Sequence, residues 1–337
     1  MKSALKALVK PVLVSLASQW GPQARNDANS RLWVLMYHRI LPSTDIRFQQ
    51  EEPGMLVQPE TFAMHIKELK KNFDLIKLGE WVDAKANGEP LPKKACAITF
   101  DDGWLDNFEF AFPILQAESA PATLFAVADK IGTDFQFWPN IIAMLLLNGA
   151  TSKMLQHPLF QSLAASLQAI KSQPTRDTIA HIIAQLKQHS DEAIFTALAD
   201  IAWRSLCPVE LPPALMSWDQ LKTMQTSGLV DVGSHTCSHR RLTNALPQAD
   251  LEHEIIASKT MLQKKLNAPV DLFCFPNGDY NADALALVES HYKAAVTTRR
   301  GINQVDATQL HELTRIGLHD EVSHTQQLFR ARLSGWV

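Results

Sequence analysis

The sequence predicts an α/β fold on parallel strands, with a block of helices inserted into it. Short apolar runs alternate with amphipathic stretches along most of the 337 residues, the pattern of repeated strand–helix units. Polar, chemically capable residues recur directly after those apolar runs, and in parallel barrels and open sheets alike chemistry collects at the carboxyl ends of strands. From about 140 to 213 the strand signals fade and helix-forming Ala, Leu and Gln take over, which reads as a helical insertion. Alternation alone leaves barrel and open sheet both open.

In order, "RLWVLMYHRI" is a buried strand that ends at Tyr37-His38. "QPETFAMHIKELKKNF" is an amphipathic helix with Phe62, Ile66 and Leu69 on one face, and a short strand and a second helix ended by Gly88 follow it. "KKACAITF" is a strand, "DNFEFAFPILQAES" a helix, and "APATLFAVADKIG" contains a third long strand. After the insertion, "SWDQLKTMQTSG" is a helix, "LVDVGSH" a strand and "QADLEHEIIASKTMLQKKLN" a helix. "VDLFCFPNGD", "YKAAVTTR" and "HELTRIGLHD" supply the remaining strands, with helices after the first and last of them.

Composition narrows the class. An apolar fraction of 46%, a charged fraction of 20% and a net charge of −3 suit a folded globular protein and give nucleic acid no electrostatic foothold. Cys96, Cys207, Cys237 and Cys274 are widely spaced, so no disulfide framework is implied. No apolar run is long enough for a membrane-spanning helix. No G-x-G-x-x-G or Walker A loop supports a nucleotide cofactor.

Residues 1–30 stand apart as a basic N-terminal segment. Lys2, Lys6 and Lys10 recur at every fourth position while Leu5, Leu8, Val9, Leu13 and Leu16 lie largely on another face. That is the pattern of a basic amphipathic helix on a membrane surface or a partner. A secretory signal cleaved near Ser15-Leu16-Ala17 is the rival reading, but Lys10 and Pro11 leave it a very short apolar core. The expectation is therefore a cytoplasmic protein peripheral to the inner membrane through residues 1–20, with a secreted or periplasmic form as the alternative. A helix that docks on the protein's own surface is equally compatible with the pattern.

Two stretches carry the chemistry. "ITFDDG" ends a strand with adjacent carboxylates, Asp101 and Asp102, which repel unless something compensates them. "GSHTCSHRRL" places His235 and His239 four apart directly after another strand, where two imidazoles can converge on one ion. With a carboxylate from the other strand end they form a two-His, one-carboxylate site with open positions. One aspartate then ligates the metal and the other serves as general base. Helix capping explains one aspartate of the pair and leaves the second unexplained.

In this order "TFDDG", H-x-x-x-H after Gly-Ser, and "FPNG" resemble the polysaccharide deacetylases of carbohydrate esterase family 4, as do "VLMYHRI", "PATLFAV" and "TTRRGIN" before "LTRIGL". The resemblance runs from about residue 32 to the C-terminus outside the insertion. It implies a distorted (β/α) barrel of seven strands, a catalytic domain over residues 31–337, and metal-dependent removal of N-acetyl groups from a glycan. Carried over by position, Asp101 is the base, and Asp102, His235 and His239 hold a divalent metal, usually zinc. A backbone N–H near Asn277 and Gly278 serves the oxyanion. Two departures stand out. The Arg that orients the base in many members is replaced by Cys274, for which Arg315 is the candidate substitute. The late Leu-x-His motif is matched only loosely, so the general acid falls to His319, with His38 as competitor. Trp104, Trp138 and Tyr280 are candidate substrate contacts. The expected partner is an N-acetylated oligo- or polysaccharide, free or lipid-linked. A metal amidase for small non-sugar amides and a non-catalytic glycan-binding relative are the alternative functions.

Overall fold

A computed structural model of the chain describes residues 2–25, 29–170, 172–207, 211–243 and 246–337, with side chains described from residue 11 onward. The lysine face expected at Lys2, Lys6 and Lys10 lies outside the described side chains. Seven strands form the framework: β1 (Arg31–Tyr37), β2 (Lys94–Phe100), β3 (Ala122–Ala126), β4 (Val230–Ser234), β5 (Leu272–Cys274), β6 (Ala294–Arg300) and β7 (Leu313–Gly317). Each pairs in parallel with the next, and β7 pairs back onto β1. The sheet is thus a closed seven-stranded parallel barrel, as the sequence resemblance implies. Closure buries both faces of each strand, which is why these segments read as apolar runs rather than as alternation.

The barrel is uneven. β1 and β2 share seven residue pairs, whereas β4 and β5 share one, Ser234 with Phe273. A register shift lies between Leu313 and Arg315, where β7 pairs with β6. Such irregularities re-aim a side chain or end a ladder, and here the re-aimed residue is Arg315. Leu32, Val34, Ala95, Ala97, Val296 and Leu313 from four strands pack into one cluster with Leu78, Trp81 and Val82 of the helix Leu78–Ala86.

The chain divides into two compact units. The first, residues 1–40, 57–133 and 215–337, contains the barrel. It includes the N-terminal helix α1 (Lys2–Trp20), whose Val14 and Ala17 pack against Ala331 of the closing helix Gln326–Leu333. The second comprises residues 41–56 and 134–214. It is built from helices, chiefly Trp138–Leu147, Arg176–Leu186 and Asp191–Asp200. Ile141, Ile142 and Leu145 meet Ile179, Ile182, Ile183 and Leu198 in its core. The Arg176 guanidinium donates to the backbone carbonyls of Glu51 and Glu52, and Asn140 Nδ2 donates to the Glu51 carboxylate. These bonds tie the 41–56 segment into this unit.

Candidate active site

The carboxyl ends of the strands bring the predicted residues together. Because Tyr37 pairs with Phe100, His38 and Asp101 leave β1 and β2 at the same level, and Asp101 N–H donates to the Tyr37 carbonyl at 3.0 Å. The chain then turns sharply. Asp102 has φ +74°, and Gly103 has φ +89°, a conformation that favours glycine and where a Cβ would press on Ile131 Cδ1 at 2.8 Å. Thr236, His239 and Asn277 also take left-handed backbone, a conformation that costs a non-glycine residue of order 1–3 kcal/mol and clusters at working sites.

The two adjacent carboxylates have different partners. Asp101 is gripped by Arg315 in a two-pronged ion pair, with both Nη atoms 2.7 Å from its two oxygens. Arg315 is fully buried, and its Nε donates to the Thr297 carbonyl and Nη1 to Thr99 Oγ1. Its Nη2 also donates to Cys274 Sγ at 3.2 Å. Cysteine at this position leaves space that the guanidinium occupies. Burial by itself would raise the Asp101 carboxyl, but the Arg315 charge and hydrogen bonds more than offset it and hold the group below the ordinary carboxylate range.

Asp102 faces the histidines. Its Oδ2 accepts from Trp104 Nε1 at 2.8 Å, while its buried Oδ1 accepts no hydrogen bond among the described residues. His235 Nε2 and His239 Nε2 lie 3.4 and 3.3 Å from that same oxygen. His235 Nδ1 lies 2.8 Å from the Cys274 carbonyl. A carbonyl only accepts, so Nδ1 carries a proton and Nε2 is the nitrogen open to a second proton or to a cation. Burial holds the His239 imidazole down to about 4, so it is neutral near pH 7. Burial opposes charge on His235, but the Cys274 side chain and the two carboxylates outweigh it and pull the group upward. The pocket therefore favours positive charge.

This geometry passes a test for a resident cation. Three ligand atoms from Asp102, His235 and His239 lie within 4.8 Å of one another. A buried carboxylate oxygen without a hydrogen bond is costly, and positive charge placed between it and the two imidazole nitrogens, a proton or a metal ion, relieves that cost. The donor set, two imidazoles and one carboxylate, suits a first-row divalent metal.

The remaining candidates separate. His38 Nε2 is 3.7 Å from Asp101 Oδ2 and is partly exposed. His319 emerges at the neighbouring strand end, since Met36 pairs with Gly317, but its Nδ1 is bonded to Glu321 at 2.7 Å. No contact joins His319 to Asp101 among the described residues, so the place beside Asp101 belongs to His38. The Gly278 N–H is spent on the Phe275 carbonyl, leaving Asn277 N–H as the donor this turn can offer. Two expected substrate contacts, Trp104 and Trp138, are corrected by their burial. Trp104 is buried, with the Arg39 guanidinium 4.1 Å from its ring centroid, and orients Asp102 rather than stacking on a sugar. Trp138 is buried in the core of the helical unit, its indole donating to Asp191. The Tyr280 hydroxyl donates to Glu312 and its ring stacks on Phe275.

The sequence reading missed a supporting layer. Asp106 accepts from Arg39 Nε and Nη2 at 2.9 and 2.8 Å and from the Ile40 N–H at 2.8 Å. Asn107 Nδ2 donates to the His38 carbonyl at 2.9 Å. Asp106 and Asn107, close behind the paired aspartates, thus anchor the segment that carries His38. The polar "LDN" following "DDGW" was the available signal.

Comparison with known proteins bears on the family and the fold. The sequence model of the polysaccharide deacetylase family matches residues 88–296. YxkH of Bacillus subtilis, designated a polysaccharide deacetylase, is 21% identical over 279 residues, which span 82% of this chain and 68% of that protein. The poly-β-1,6-N-acetyl-D-glucosamine N-deacetylase of Escherichia coli is 36% identical over 80 residues, 23% of this chain and 12% of that protein. Among solved structures, the Streptococcus pyogenes deacetylase PplD shares the fold with a TM-score of 0.58 at 21% identity, covering 88% of this chain and 96% of PplD. IcaB from Ammonifex degensii does so with a TM-score of 0.57 at 19% identity, covering 90% and 97%.

Proposed function

The chain belongs to the polysaccharide deacetylase family, and from that premise we propose that it is a metal-dependent hydrolase that removes N-acetyl groups from a glycan. The observation that carries the proposal is the split environment of the paired aspartates: Asp101 is held by a guanidinium, and Asp102 is turned toward two imidazole nitrogens. Asp102, His235 and His239 would hold the ion, for which zinc is the best match to the donors. Such an ion, when bound, acidifies water and polarises a carbonyl.

The chain's own residues account for the proton movements. Asp101 stays ionised near neutral pH and accepts a proton from the attacking water. Arg315 holds both carboxylate oxygens in place, so the base needs no reorientation during the reaction. Asn277 N–H provides a donor for the oxyanion that develops at the acetyl carbonyl. His38, beside Asp101 and partly exposed, delivers a proton to the departing amine. Water adds to the carbonyl carbon, the C–N bond breaks, and the products are acetate and a glucosamine-type amine. The local similarity to an enzyme named for poly-β-1,6-N-acetyl-D-glucosamine supports a polymer of N-acetylated hexosamine as substrate.

Acetate release from β-1,6-linked and β-1,4-linked N-acetylglucosamine oligomers, with a panel of small amides beside them, tests the proposal. Release from an N-acetylated oligomer is expected, with Asp101→Asn lowering turnover by about 10³-fold or more while retaining metal. Turnover of small amides alone would move the assignment to a non-sugar amidase. A fully active Asp101→Asn protein would remove the base.

A further inference from the structure

We propose that α1 and the basic cavity at its end dock this protein on an anionic lipid bilayer. The observations are independent of the catalytic site. α1 packs one side, Val14 and Ala17, against the closing helix. Val12, Leu13, Leu16 and Trp20, spaced at helical intervals of three and four, form an apolar stripe on another side, and each is about half exposed or more. Trp336 extends the patch, with Trp20 and Trp336 exposed to 64% and 54%. Tryptophan is enriched where an apolar phase meets water, because its ring is apolar and its N–H is not.

The stripe runs into a cavity of about 640 Å³. Arg25 joins the two: its Nε donates to the Trp20 carbonyl, and its guanidinium lies 5.8 Å from the Trp336 ring centroid. Among the described residues, six cationic side chains, Arg25, Arg31, Lys70, Lys71, Lys93 and Lys94, line the cavity against one carboxylate, Asp74. Lys70 and Lys71 already pair with Glu118 and Glu68, whereas Lys93 makes no ion pair among the described residues. Arg31 and Lys94 begin β1 and β2, whereas the site residues follow the ends of those strands, about 20 Å away at 3.3 Å per residue. The sequence adds to this charge: Lys2, Lys6, Lys10 and Arg25 precede the first carboxylate, Asp27.

An apolar, tryptophan-bearing stripe continuous with a cluster of cations matches the two layers of an anionic membrane surface, acyl chains and phosphate headgroups. A soluble polyanion has no use for the stripe. No described helix is long and apolar enough to cross a membrane, so the contact is peripheral.

Sedimentation of the full chain with phosphatidylglycerol-containing vesicles, compared with pure phosphatidylcholine vesicles, tests the proposal. Binding to the anionic vesicles is expected to be at least about tenfold tighter, and to fall at high salt as the headgroup charges are screened. Leu16→Glu should weaken it by about tenfold or more, because the change puts a charge into the apolar layer. Lys93→Glu, on an exposed side chain, should weaken it by several-fold. Circular-dichroism melting establishes that both variants remain folded. Equal partition onto neutral and anionic vesicles, or Lys93→Glu binding as tightly as the parent, overturns the proposal. So does a concentration-dependent dimer that Leu16→Glu dissolves, because a second copy then covers the stripe. Binding of inorganic phosphate with no partition onto vesicles reduces the cavity to a simple anion site and overturns it equally.

Discussion

Asp101 and Asp102 are neighbours in the chain with opposite environments, and this contrast is the core of the proposed chemistry. The fork–fork pair between Arg315 and Asp101 depends on the planar guanidinium, because an ammonium can satisfy only one oxygen well. Arg315→Lys is therefore expected to lower kcat/KM by about 10²-fold, as the base loses its fixed orientation. It should also move the acid limb of the pH profile. The Arg315 charge holds the Asp101 carboxyl below its ordinary range, so weaker pairing lets it rise, and the limb shifts to higher pH. A role confined to folding would leave the limb where it is. The motif residues were legible in sequence because each pair is local. Arg315 meets Asp101 across 214 positions; the absence of the usual Arg at Cys274 showed that a substitute was needed, not how it reaches the base.

Between elements, His65 shows how a side chain that reads only as part of a helix face can join three segments. It lies on the helix Pro59–Asn72, stacks on Phe329 of the closing helix at 4.0 Å between ring centroids, and approaches the Ser323 carbonyl with Nε2 at 2.7 Å. That carbonyl requires Nε2–H, so Nδ1 accepts from the Tyr37 hydroxyl at 3.1 Å. Burial holds the imidazole down to about 4, while the unfolded chain titrates near the ordinary value of about 6.5. Below that ordinary value the unfolded state takes a proton that the folded state refuses. The stability from neutral His65 is thus complete above about pH 6.5 and is lost progressively as pH falls toward about 4, by about 3 kcal/mol in total. Denaturant titrations between those pH values should show this slope, and His65→Gln should flatten it by up to one proton. Strand positions were readable as apolar runs. The register shift beside Arg315 was not, because a bulge is decided by the partner strand.

At the level of the whole molecule, a resident ion should appear as stability as well as activity. An ion that binds only the folded state, at a free concentration one hundred times its Kd, adds about 2.7 kcal/mol. Chelation is expected to lower the melting temperature by several degrees and zinc to restore it, with about one ion per chain by elemental analysis. His235→Ala should abolish the difference between chelated and zinc-loaded protein. A melting temperature indifferent to chelator and zinc in the parent protein would count against a structural fit of Asp102, His235 and His239 to a metal. The closed barrel brings Asp102, after β2, to the His235–His239 pair that follows β4, across the intervening β3, with no linear motif joining the aspartate to the histidines.

The sequence by itself determined the strand–helix alternation, the barrel that the motifs imply, and the four residues Asp101, Asp102, His235 and His239. The alternation and the four residues follow from local spacing, because period, turn chemistry and strand ends are properties of a few consecutive residues, whereas the barrel is implied by the family resemblance. Only the tertiary structure decided which groups surround them. It put His38 rather than His319 beside the base, turned Trp104 inward to hold Asp102, buried Trp138 among helices, and brought Arg315 to the space above Cys274. Those outcomes depend on which strands lie side by side and on which cavity a side chain can fill. Both are set by closure of the sheet and by packing between residues hundreds of positions apart.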